Sequence, residues 1–256
     1  MTSSPADSSG VPWQGRSFDG HPVSTDDGSA PPLLRAVLQA FRAGGSSVVE
    51  VVDAVRASRL LVPLVAELGD AGVGVGGRSP HKSADLAIVT VEGPDGRRVL
   101  PVFSSVDAMK LWNPDARPVP SDAVRVALAA ASEGTELVVL DPMSATEFAV
   151  RRPALWAIAQ QRTWVPSFLD DEVHAAFRVA AEPESSIIAI ALDSGDPTGR
   201  LAGPELVVAI TVRAGLDRTQ LDALLQRLRA RIADHSLIAS RVDSMVLRVV
   251  DSSEVP

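Results

Sequence analysis

The chain has 256 residues, is 46% hydrophobic and 22% charged, carries a formal net charge of -8 and contains no cysteine. That hydrophobic share belongs to a folding chain, and a length of this order buries roughly three quarters of the unfolded surface. Lack of cysteine excludes a disulfide framework, a thiolate metal site and a cysteine nucleophile, while the acidic balance opposes nucleic-acid binding.

Residues 1–30 are rich in Ser, Gly, Pro and Asp, with too few apolar side chains to offset the entropy of ordering, and read as a disordered tail. Met1 to Gly10 has neither the basic start nor the apolar run of a secretory signal. The longest apolar runs, Leu60 to Ala66 and Ile187 to Leu192, fall short of the roughly 20 residues that cross a bilayer, so a cytoplasmic protein without a membrane partner is expected.

Leu33, Leu34, Val37, Leu38 and Phe41 form a helical stripe that Gly44-Gly45 stops, and a second helix starts at Ser46 or Ser47. Arg59 to Val65 reads as a strand, and its internal Pro63 predicts a sheet edge or a bulge. Ala84 to Glu92 and Arg97 to Phe103 flank the turn formers Gly93-Pro94-Asp95-Gly96 and predict a β-hairpin. Ser104, three residues before Asp107, predicts a capped short helix that Asn113-Pro114 ends. Ser121 is expected to cap a helix with Val124, Ala127, Leu128 and Ala131 on its apolar stripe. Leu137 to Leu140 is apolar on both faces and predicts a central strand closed by Asp141-Pro142. A short strand over Phe148 to Val150 and a helix opened by Pro153 complete the first half.

Beyond Trp164-Val165-Pro166 the pattern is helix, strand, strand, helix, strand. The helix from Asp170-Asp171 carries Val173, Ala176, Phe177 and Ala180, and Ile187 to Leu192 and Glu205 to Val212 are strands. Asp217 and Gln220 cap a helix bearing Leu221, Leu224, Leu225, Leu228 and Ile232, and the last strand is Asp243 to Val250. The fold class is therefore α+β, with a tail over 1–30 and two small mixed domains over 31–166 and 167–256, each with helices packed on a sheet.

The succession Gly96 to Ser105 (GRRVLPVFSS), Trp112, Arg117-Pro118-Val119-Pro120 and Leu137 to Pro142 (LVVLDP) resembles the N-terminal domain of the SseB (enhanced serine sensitivity) family. Arg151 to Trp156 resembles the longer actinobacterial-type members, and the second half is similar, more loosely, to the family's C-terminal domain. The resemblance implies an α+β fold, no established catalytic residues and a link to serine or sulfur metabolism.

Reactive chemistry is thin along the chain. Gly72 to Arg78 lacks the Gly-Lys-Ser/Thr ending of a phosphate loop and opens no helix, so it reads as a loop between strands. His21, His81, His174 and His235 are scattered without ligand spacing, so neither a metal site nor a cofactor is expected. Asp170-Asp171-Glu172 is explained by the helix dipole, Arg151-Arg152 as a solvated pair, and Trp112, Trp156 and Trp164 as packing residues. The expected function is a non-catalytic accessory or regulatory module that binds another protein or itself, through a patch formed by Phe103, Ser104, Ser105, Trp112, Asp141 and Pro142. The alternatives are a hydrolase or transferase using Ser104 or Ser105, with Ser104, His81 and Asp141 as its triad, and a homo-oligomer joined along the Pro63 edge.

Overall fold

The computed structural model describes residues 26–67 and 85–251. The glycine run at 72–78, His21 and His81 lie outside them. Helix α1 (Pro32–Arg42) buries Leu34 and Leu38 and leaves Leu33 outside, and α2 (Val48–Arg56) starts at Ser47, whose side chain and that of Glu50 cap each other's backbone N–H. Strand β1 (Arg59–Glu67) pairs antiparallel with β2 (Asp85–Ile88) on one side and β5 (Arg117–Asp122) on the other. The alternating run expected over Ala84 to Glu92 divides between two sheets, because β3 (Val91–Glu92) pairs with β4 (Arg98–Val102) while β2 does not.

Pro63 sits on a middle strand, not on an edge. Leu61 donates its N–H to the Phe103 carbonyl (2.8 Å) and accepts the Phe103 N–H (2.9 Å). Donors alternate sides along a strand, so Pro63 faces as Leu61 does, away from β5. Pairing with β2 starts at Leu64, so the missing donor of Pro63 falls in the gap between the Phe103 bridge and β2. The edge prolines are Pro118 and Pro120 on β5, placed by the same alternation to face the open side. The homo-oligomer expected along a Pro63 edge therefore loses its surface.

The second sheet has the order β3-β4-β6-β7, where β6 (Val138–Leu140) lies parallel to β4 and antiparallel to β7 (Phe148–Val150). One face carries Leu100, Val102, Val138, Leu140, Phe148 and Val150 against α1, α2, α4 (Ala123–Ser132) and α5 (Arg152–Ala159). Two details of α4 differ from expectation. Asp122, not Ser121, accepts the capping N–H of Arg125, and Ser121 belongs to β5. The buried stripe is Ala123, Val126, Ala127 and Ala130, and Leu128 stands 57% exposed.

The C-terminal part is a sheet of order β10-β9-β8 with α6 (Asp171–Ala181), α7 (Arg218–Ala233) and α8 (Ser236–Arg241) on one face. Strands β8 (Ile187–Ser194) and β9 (Leu206–Val212) are antiparallel, and β10 (Met245–Asp251) is parallel to β9. The whole is an α+β fold, and among the described residues no helix is long and apolar enough to cross a membrane. Helices α6 and α7 are tied by Glu184, which accepts from Arg227 (2.9 and 2.7 Å) and Arg231 (2.7 Å). Arg227 first, then Arg231, push the Glu184 carboxyl from 4.5 down to about 2. A lowered folded value means that this stabilisation is complete above about pH 4.5 and is lost as pH falls through about 2. Arg227 is more than half exposed and solvent screens it, so Glu184→Gln should cost about 1–2 kcal/mol near neutrality. In urea melts the gap between variant and wild type should narrow below about pH 4.5 and close only as pH falls through about 2; a gap independent of pH contradicts the assignment.

Candidate functional site

The parallel pair β4 and β6 ends at one edge of the second sheet, and the residues singled out in the sequence converge there. Phe103 follows β4 and is fully buried with Leu61, Met109 and Ala116, its ring 5.4 Å from that of Trp112. Ser104 is also buried. Its N–H and hydroxyl donate to the two carboxylate oxygens of Asp141, each at 2.7 Å. Asp141 follows β6, is buried, and holds a left-handed backbone (φ 49°), with Thr146 donating a further hydroxyl at 3.4 Å. Burial pushes the Asp141 carboxyl up, against the hydrogen bonds from Ser104 and Thr146.

The helix cap is Ser105, whose hydroxyl accepts the Ala108 N–H (3.1 Å) at the start of α3 (Val106–Trp112). Asp107 therefore takes no part in a capping box with Ser104. The two serines are each committed, Ser104 as a donor to a carboxylate and Ser105 as a cap. A triad serine instead gives its proton to a histidine that the carboxylate orients. Of the four histidines, the described ones lie elsewhere: His174 bonds the Phe168 carbonyl through Nε2 (2.9 Å), and His235 precedes α8.

Trp112 and Pro142 line a groove of about 310 Å³ together with Val91, Pro94, Pro101 and Met143. Its floor is the outer face of the second sheet, Val99, Val139 and Ala149, and Leu201 from the C-terminal part closes one end. Met143 stands 73% exposed on a left-handed backbone (φ 66°), its N–H held by Glu147 (2.7 Å). Sequence reasoning missed Met143. A methionine two residues after Leu140-Asp141 gives no local sign of a turn that presents it.

The loop that brings Leu201 to the groove, 195–205, is fixed by residues the sequence left as solvated. Gly199 accepts the Ala149 N–H (2.7 Å), at φ 61° and so close to Phe148 that a Cβ would lie 2.8 Å from its ring. Arg151 is buried. It donates to Asp196 (2.7 Å), the Gly203 carbonyl (2.8 Å), Asp243 (3.1 Å) and Ser244 (3.2 Å), and Arg97 adds two bonds to Asp243 at 3.0 Å. Burial works to raise the Asp243 carboxyl, and Arg97 and then Arg151 outweigh it and hold it low. Arg152 donates to the Ala239 (2.8 Å) and Val242 (2.7 Å) carbonyls at the end of α8 and stacks over Trp156. The expected solvated pair is thus the junction between the two halves. A second cavity of about 350 Å³ lies beside it, walled by Phe41, Val48, Val52, Phe148 and Trp164, and its acids are already engaged: Asp196 by Arg151, and Glu205 by Ser167 and the Asp243 N–H.

These features define an α+β protein in which Ser104 and Asp141 bond each other, Ser105 caps a helix, and a mostly apolar groove runs along the outer face of the second sheet. Residues 34–157 match the family model of the SseB protein N-terminal domain, and through that domain the chain belongs to the SseB family. No curated protein and no solved structure matches it.

Proposed function

We propose that the protein is a non-catalytic accessory or regulatory module, in which residues 31–166 form the SseB N-terminal domain and 167–256 an SseB-like C-terminal domain. Its groove takes an extended apolar segment of a partner protein, and the family resemblance carries a link to serine or sulfur metabolism. The observation behind this reading is the groove itself: an exposed methionine and Pro94, with half-buried Trp112 and Pro142, over an apolar floor that includes the buried Pro101, beside serines that are already committed. Rigid prolines lose little entropy on binding and methionine adapts to a partner's shape. Of the six residues first singled out, Trp112 and Pro142 belong to this surface, and Phe103, Ser104 and Asp141 support it from beneath.

Met143→Asp is the clean test. Asp is among the residues most tolerant of the left-handed backbone and position 143 is exposed, so the variant should melt with the wild type. A charge set in the groove should lower recovery of the partner at least tenfold in affinity capture from the native cell. Equal recovery by the folded variant, or no specific partner for the wild type across growth conditions, overturns the reading.

A further inference from the structure

The sheet of the C-terminal part is covered by helices on one face only. The other presents Ala189, Ala191, Val207, Ala209, Thr211 and Val246, opposite in alternation to the buried Leu206, Val208, Ile210 and Val212. No described element packs on this face in the hydrophobic clusters. Ile188, the unpaired residue of a bulge in β8, stands 55% exposed at its end. Two opposite charges flank the small residues: Asp193 on the outer strand β8 and Arg248 on the outer strand β10, both exposed and without an ion-pair partner among the described residues.

We infer that this face is a docking surface for a second copy of the chain, forming a two-fold, sheet-on-sheet dimer. A two-fold axis running along the strands lays β8 of one copy across β10 of the other. Asp193 is level with Val207, and Arg248 with Ala209, two residues along β9. That offset is about 7 Å, within the reach of an arginine, so each Asp193 meets the Arg248 of the second copy and the contact is made twice. The charge pattern is self-complementary. A partner of one sign, or an apolar segment alone, would leave one of the two charges unpaired. The alanines let the sheets approach closely, and the face measures only about 24 by 14 Å, which suits a reversible dimer and not a permanent one.

The full chain in sedimentation over micromolar to submillimolar concentration tests this. The wild type should pass reversibly from monomer to dimer. Asp193→Arg or Arg248→Asp alone sets like charges face to face and should weaken the dimer at least tenfold. The double variant D193R/R248D restores opposite charges and should regain the dimer. Both positions are on an exposed face, and matching melting curves of the three variants verify the fold. A wild type that stays monomeric, single variants that dimerise unchanged, or a double variant that fails to recover overturns the inference.

Discussion

Arg151→Ala destabilises the protein by about 3–5 kcal/mol, measured by urea unfolding, because removing one member of a buried ion pair leaves its partner charge uncompensated. The side chain is only 9% exposed, and the acids it serves, Asp196 and Asp243, are 2% and 1% exposed. Arg97 continues to neutralise Asp243, so the larger loss falls on Asp196 and on the 195–205 loop. Amide exchange should therefore quicken first at Gly199 and Leu201, which that loop lays against Phe148 and Val139. A cost below about 1 kcal/mol would mean that the ion pair does not hold the junction.

Phe103→Ala costs a similar amount, about 3–5 kcal/mol, through a cavity among Leu61, Met109 and Ala116 and the loss of the Trp112 ring contact. Phe103→Asp places an unpaired carboxylate in the same site and should prevent folding. Phe103 variants thus report on the core beneath the groove, whereas Met143 reports on the groove. Calorimetry of the Ala variant checks the figure; a loss under about 1 kcal/mol contradicts the packing described.

Periodicity made the helices with large apolar side chains legible: Leu34 and Leu38, Val173 and Phe177, and Leu224, Leu228 and Ile232 all lie where their spacing puts them. It failed on α4, because in an alanine-rich helix Val126 and Leu128 offer rival stripes of similar weight, and the close approach of the sheet selects the one with smaller side chains. Pro63 misled because the edge rule assumes a donor that is needed, while here the neighbouring strand does not reach it. The run Arg117 to Pro120 has no strand pattern of its own and becomes one because its prolines face an open edge. At the site, the Ser104–Asp141 bond spans 37 positions and follows from the parallel pairing of β4 with β6, which no local motif announces. Arg151 was equally silent: its partners lie 45 and 92 residues away.

The proposed role of the groove of Trp112, Pro142 and Met143 is to dock a partner protein. A photo-crosslinking side chain placed at position 143, and separately at the exposed Leu128 on α4 as a control, tests it most directly in the native cell. One identified protein should be joined at 143 and absent at 128; the same products from both positions, or none from 143, would contradict a docking role for the groove.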